Sequence, residues 1–308
     1  MRSRGLQVGA RSTNPTRMTT SASILKVGLV QFACSTDSRE NLDRALAGID
    51  DAARRGARLV VLPELFRTPY FCQAEDQGCF DLAESVPGPT TEAVGKLAAE
   101  RGVTVVASVF ERRAPGVYHN TAVVLDADGA IAGVYRKMHI PDDPLYYEKF
   151  YFTPGDLGFQ AFDTRAGKVG TLVCWDQWFP EAARLTAMAG AQVLVYPTAI
   201  GWETGVRPEW EAAEHDAWET VQRGHAIANG VFVVAVNRIG VEGRLTFWGQ
   251  SFVADPFGRV VARASADRAE TLVVDCDLAL VEEVRRGWPF LRDRRIDAYG
   301  DLLKRLRD

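Results

Sequence analysis

Short apolar runs rich in Val and Ile recur along the chain and alternate with amphipathic stretches, the pattern of strands interleaved with helices. Ile24-Leu-Lys-Val-Gly-Leu-Val-Gln-Phe-Ala33 predicts the first strand. Residues 38–55 predict a helix, with Asp37 or Ser38 as its cap and Leu42, Leu46 and Ile49 along one face. Arg58–Leu62 predicts a second strand, ended by Pro63 and followed at once by Glu64. A helix over 90–101 leads into a strand over Val103–Phe110, and Thr121–Leu125 with Ile131–Arg136 reads as a hairpin around Asp126-Ala-Asp-Gly129. Lys137 closes that hairpin, and a polar, aromatic loop runs from His139 to Phe150.

Phe159–Asp163 and Val169–Cys174 are the next predicted strands. Pro180 suits the first turn of a helix over 180–190, because its missing N–H would have had no partner there. Gln192–Tyr196 is a strand ended by Pro197, and the loop beyond it carries Trp202, Glu203 and Trp210. A helix over 211–229 is closed by Gly230. Val231–Asn237 follows as a strand, Phe247–Ala254 pairs with Arg259–Ala264, and Thr271–Asp275 is the last strand. No repeat or composition break interrupts residues 24–308, which predicts a single α/β domain; the hairpins make its sheets mixed rather than parallel. Residues 1–23 hold Arg, Ser, Thr and Gly and no acid. That composition resembles a transit peptide, but without an apolar helical face it predicts a disordered extension, with Met18 as another start.

Charged residues are 25% and hydrophobic residues 47% of the 308, a profile that excludes a disordered chain. No run is long enough to cross a membrane. The net charge of -4 argues against a nucleic acid or an anionic membrane as partner. The cysteines Cys34, Cys72, Cys79, Cys174 and Cys276 are odd in number and lack a CxxC pair, which fits reduced thiols in a cytoplasm. His119, His139, His215 and His225 have no metal-ligand spacing, so neither a metal nor a cofactor is expected.

Three reactive residues stand just past strand ends, where α/β proteins gather their chemistry: Glu64, Lys137 and Cys174. A free cysteine in an apolar run is ordinarily a small core hydrophobe, and a lone Glu or Lys after a strand is ordinarily a solvated charge. All three in equivalent places outweigh those readings. A papain-like pair with His139 or His225 as base is the competing arrangement. A non-catalytic scaffold is another, and it would be marked by a missing member of the three.

Pro63-Glu64-Leu, Tyr135-Arg136-Lys137-Met-His and Cys174-Trp-Asp176 with Pro180-Glu181 resemble the three signature motifs of the nitrilase superfamily of carbon–nitrogen hydrolases, in order over roughly residues 24–305. Within it, Lys137–Gly155, Cys174–Pro180 and Trp288–Arg295 are most similar to the N-carbamoylputrescine amidases. The resemblance implies a four-layer α-β-β-α sandwich with two mixed sheets, which pairs into dimers or larger homo-oligomers, with the amphiphilic tail over 285–308 reaching across an interface. It implies Cys174 as nucleophile, Glu64 as base and Lys137 as oxyanion stabiliser, with the Trp175 N–H as second donor. Glu148 is a supporting or structural carboxylate. Lys137 is expected to favour the ionised forms of Glu64 and Cys174. Relatives acting on N-carbamoyl-D-amino acids carry two arginines where this chain has Gln177 and Trp178, so a small cationic N-carbamoyl amine is the expected substrate. Tyr70, Trp178 and Glu203 are the candidate substrate contacts, with Glu203 on the distal ammonium. β-Ureidopropionase, aliphatic or ω-amidase and true nitrilase chemistry stay open.

Overall fold

The computed structural model describes residues 23–307. The predicted extension over 1–23 therefore lies outside the described residues apart from Ser23. The first half of the chain forms β1 (Ile24–Gln31), α1 (Ser38–Arg54), β2 (Leu59–Val61), α2 (Pro89–Arg101), β3 (Thr104–Ala114), β4 (Val117–Leu125), β5 (Ile131–Arg136) and the single turn α3 (Glu148–Tyr151). The second half forms β6 (Ala161–Thr164), β7 (Gly167–Thr171), α4 (Pro180–Met188), β8 (Val193–Pro197), β9 (Gly201–Glu203), α5 (Pro208–Asn229) and β10 (Phe232–Val236). It ends with β11 (Ile239–Glu242), β12 (Leu245–Trp248), β13 (Phe252–Ala254), β14 (Val260–Arg263), β15 (Glu270–Asp277) and α6 (Ala279–Gly287).

Two six-stranded sheets result, ordered β15-β1-β2-β3-β4-β5 and β14-β13-β10-β8-β7-β6. Each has a parallel centre and antiparallel flanks, so both are mixed, as the hairpin pattern predicted. Leu29, Val61, Val106 and Val124 of the first sheet share one buried cluster with Val169, Val195, Val234 and Val253 of the second. Each such side chain contributes roughly 1.5–3 kcal/mol relative to leaving it in water. The outer face of the first sheet is covered by α1 and α2 through Ala45, Ile49, Val94 and Ala98. Helices α4 and α5 cover the second, giving the α-β-β-α order. Structural relatives described below share this architecture.

The departures from the sequence pattern have local causes. The strand predicted over Phe247–Ala254 breaks at Gly249 and Gln250, whose φ angles of 57° and 53° leave the extended region. The stretch after Pro197 is not a plain loop: Gly201–Glu203 pairs with Leu245–Phe247, making a third sheet β11-β12-β9. Helix α5 starts earlier than predicted because Pro208 occupies its first turn. The strand ending at Cys174 stops at Thr171, and Cys174 instead opens a 3-10 turn.

Candidate active site

Glu64 lies beyond the end of β2, where its N–H donates to Thr198 O (3.3 Å) past the end of β8 in the other sheet. Its carboxylate is buried. Oε1 accepts from Asn120 Nδ2 (2.6 Å) and Lys137 Nζ (2.8 Å), while Oε2 has no partner among the described residues. That leaves one oxygen free for proton transfer. The backbone here is held from behind by Arg238. Its buried guanidinium donates to Glu64 O (2.6 Å), Leu65 O (3.0 Å) and Thr68 O (3.1 Å) and pairs with Glu242 (3.1 Å). Leu65, at φ 47°, is pinned by its N–H to Ser108 Oγ (3.1 Å).

Lys137 follows β5 and is also fully buried. Its ammonium bridges Glu64 Oε1 and Glu148 Oε2 (2.6 Å). Burial pulls its pKa down, but the two carboxylates overcome that and hold it well above the usual lysine value. Glu148 opens α3 and accepts a second bond at Oε1 from the Tyr70 hydroxyl (2.7 Å). Burial pushes its carboxyl up to about 7, with Lys137 opposing and Glu64 adding to the rise. One ammonium facing two carboxylates leaves surplus negative charge, and the neighbouring groups hold protons more tightly in consequence.

Cys174 has a φ of 41°, in the left-handed region that non-glycine residues rarely occupy. The tight elbow turns its Sγ toward Ala199 O (3.8 Å). Trp175 is the second residue of that turn, a place where a backbone N–H has no acceptor within the turn itself. Asp176 fixes the elbow. Its Oδ2 accepts from Tyr135 OH (2.7 Å) and Val173 N (3.0 Å), and its Oδ1 from His139 N (3.0 Å) and His139 Nδ1 (2.8 Å). One carboxylate thus ties the nucleophile's backbone to the segment that carries Lys137.

Lys137 does favour the ionised form of Cys174, as expected, but it is outweighed. Burial raises the thiol's pKa well above its ordinary value and the Glu64 carboxylate raises it further, with Lys137 only partly opposing them. Cys174 therefore rests as a neutral thiol. Neither histidine forms a papain-like pair with Cys174. His139 bonds Asp176 and stacks on Phe179 at 3.7 Å, and His225 Nε2 pairs with Gln177 O (2.8 Å).

Cys174 and Trp175 line a cavity of about 370 Å³, together with Tyr146, Trp178, Asp143 and Glu203. Trp178 and Glu203 are thus where the sequence reading put them, at the cavity, and the Glu203 carboxylate accepts from Arg244. Tyr70 is not at the mouth. It is buried behind Glu148, packed on Tyr146 and Phe247, because Pro69 and Tyr70 fold inward and the Tyr70 N–H is taken by Glu242. Gln177 is buried with Oε1 on Trp218 Nε1 (2.9 Å), away from the cavity. Sequence reasoning missed Asn120, Asp176 and Arg238 as parts of the site. Arg238 could have been found by the same rule as the others, since it directly follows a predicted strand end. Among the described residues no His, Cys, Asp and Glu cluster of metal-binding kind occurs.

The fold and this cluster fit the class of thiol hydrolases: a cysteine at a cavity, a buried carboxylate with one oxygen unpartnered among the described residues, and a buried ammonium beside it. The family model for carbon–nitrogen hydrolases matches residues 26–286. The chain is 44% identical to an N-carbamoylputrescine amidase of Solanum lycopersicum, covering 91% of this chain and 95% of the relative. It is 40% identical to a citrullinase of Francisella tularensis, over 91% and 99%. A solved carbon-nitrogen hydrolase from Helicobacter pylori superposes with a TM-score of 0.89 at 49% identity, over 92% of this chain and all of that one. The chain belongs to the carbon–nitrogen hydrolase family, in the nitrilase superfamily, and is an enzyme that hydrolyses amide-type C–N bonds.

Proposed function

We propose that the enzyme hydrolyses the ureido C–N bond of N-carbamoylputrescine to putrescine, CO2 and ammonia. The observation that carries the substrate is the charge of the cavity: its lining holds the carboxylates Asp143, Glu203 and Glu214, with the exposed Arg244 paired to Glu203 from the solvent side. Such a wall favours a cation at the end of an apolar chain, which Trp178, Ile200 and Trp248 accommodate. Glu203 takes the distal ammonium.

The chemistry follows from the cluster. Glu64 takes the Cys174 proton on its free oxygen as sulfur attacks the ureido carbon, and the oxyanion settles against Lys137 and the Trp175 N–H. Glu64 returns the proton to the leaving nitrogen, and the C–N bond breaks to give a carbamoyl thioester. Water, deprotonated by Glu64, then cleaves the C–S bond, the thiol recovers its proton from Glu64, and the released carbamate takes up a proton and splits into CO2 and the amine that carries the second nitrogen. Glu148 positions Lys137. Ammonia release from N-carbamoylputrescine and from N-carbamoyl-β-alanine, repeated with Glu203→Gln, tests the reading. A preference for the acidic substrate overturns it; an unchanged preference in the variant removes only Glu203.

Since the proposed product is a diamine, we propose a role in polyamine supply; the five unpaired thiols support a reducing compartment such as the cytoplasm. We further propose a homo-oligomer. Beyond α6 the chain forms only short 3-10 turns and leaves Ile296, Leu302 and Leu303 at 76%, 63% and 95% exposure, an apolar face suited to a second copy. Truncation after Gly287 should lower the mass by light scattering, and an unchanged mass overturns this role for the tail.

A further inference from the structure

The loop that follows Lys137 carries an acid without a partner. This loop runs to Glu148, and its ends are drawn together by the Lys137 Nζ bond to Glu148 Oε2 (2.6 Å). Within it Leu145, at φ 68°, turns the chain back so that Tyr146 N donates to Asp143 O (2.9 Å). Leu145 is buried, and the Tyr146 hydroxyl donates to Gly201 O and accepts from Gly201 N (both 3.1 Å), which fixes the turn to the start of β9. Asp143 thereby lines the cavity with Tyr146 and Cys174. Its Oδ1 is buried and has no hydrogen-bond partner among the described residues. Burial pushes its carboxyl up, while its own backbone N–H and the Lys137 ammonium pull it down, so it lies within the field of the catalytic cation.

A ureido carbon attacked by Cys174 carries three groups, and the cluster answers two of them. The oxygen meets Lys137 and the Trp175 N–H, and the terminal nitrogen leaves toward Glu64. The third is the inner N–H that joins the carbon to the alkyl chain. It is taken out of water with the rest of the group, and a donor left without an acceptor weakens binding. Three carboxylates line the cavity. Glu203 is paired with Arg244 at the solvent side and meets the distal ammonium, and Glu214 is exposed on α5. The Tyr146 hydroxyl is taken up by Gly201. Asp143 remains, and it holds the buried acceptor.

We propose that Asp143 accepts the inner N–H of the ureido group and is the residue that makes the site select a ureido substrate over a carboxamide of the same length. This rests on the ureido-hydrolase reading above. A carboxamide has a methylene at that position, which offers no donor and leaves the Asp143 carboxylate desolvated against carbon. The discrimination is therefore two-sided. The ureido group gains a charge-assisted hydrogen bond, and the amide meets an unpaired charge. Asp143 takes no part in making or breaking bonds, since the proton and the leaving nitrogen pass through Glu64.

The test measures kcat/KM by ammonia release from N-carbamoylputrescine and from 6-aminohexanamide, in which a methylene replaces the inner N–H and the distal ammonium is kept. The full chain is used as wild type, Asp143→Ala and Asp143→Asn. Each variant is compared with wild type on the same substrate, so the intrinsic reactivities of the two probes cancel. Asp143→Ala should lower the ureido value roughly tenfold or more, the worth of one hydrogen bond to a charged group, and leave the amide value unchanged or raised. Asp143→Asn keeps an acceptor without its charge and should lose less on the ureido probe. Where wild type does not turn over the amide, its inhibition constant against N-carbamoylputrescine supplies the second value. A fall by the same factor for both probes would make Asp143 a structural support or an ammonium contact and overturns the proposal, as does no change in either. Failure of the wild type to hydrolyse N-carbamoylputrescine overturns the ureido reading and the proposal with it, so the two failures are told apart.

Discussion

Replacing Asp176 by asparagine puts the elbow's anchorage to a quantitative test. The carboxylate accepts two bonds at each oxygen, from Tyr135 and Val173 on one side and from both His139 nitrogens on the other. Asparagine has one acceptor and one NH2 group, so one of these pairs must face a donor. Tyr135 OH can rotate and accept, and His139 Nδ1 can change tautomer, but the backbone N–H of Val173 or His139 cannot. At least one buried amide is therefore orphaned, at about 1–3 kcal/mol, and the retained bonds lose their charge assistance at roughly another 1 kcal/mol. Asp176→Asn should lower the urea midpoint by the equivalent of about 2–4 kcal/mol with an unchanged m-value. Because the orphaned amide adjoins either Cys174 or the Lys137 segment, kcat should also fall on the order of a hundredfold, with KM less affected. A variant within about 0.5 kcal/mol of wild-type stability with near wild-type kcat would refute the anchoring role.

Three further outcomes follow from the buried cluster. Cys174→Ala, Glu64→Gln and Lys137→Ala should each abolish ammonia release while circular dichroism stays native, since residues that act as a unit fail together. Iodoacetamide should label Cys174 faster than the fully buried Cys72 and Cys276, and Glu64→Gln should slow that labelling; equal rates at all three thiols would deny Cys174 its base. Glu148 gives a pH dependence of stability. Its carboxyl is raised from 4.5 to about 7 on folding, so between those values the folded chain binds more protons than the unfolded one. Its contribution is complete below pH 4.5 and lost as pH rises through about 7. Glu148→Gln should remove that downward slope in urea unfolding, and an unaltered slope would show that the rise belongs to another group.

Much of this site was legible because its parts obey local rules. Glu64 and Lys137 follow β2 and β5, and Cys174 follows β7, and each place was readable from a β-branched run with its terminator. What was not legible depends on contacts between segments distant in sequence. Nothing near Tyr70 shows that Glu242, far along the chain, will draw its backbone inward and turn its hydroxyl to Glu148. The pairing of Trp202 and Glu203 with β12 needs a partner strand that forms only when Gly249 and Gln250 break a longer apolar run. The net protonation of Cys174 was not legible either: Lys137 favours the thiolate as expected, but the cost of removing a thiolate from water dominates in a buried site.

Ownership of the reacting groups is divided: Glu64 and Lys137 extend from the first six-stranded sheet and Cys174 from the second. Either sheet with its helices carries only an inert fragment of the chemistry. The elbow, moreover, is tied to the Lys137 segment through Asp176, so the thiol is aimed only after the two halves have docked. Turnover is therefore a late reporter of assembly. During refolding, ammonia release should reappear after the recovery of secondary structure, and a half-formed chain exposes no working nucleophile to the metabolites around it.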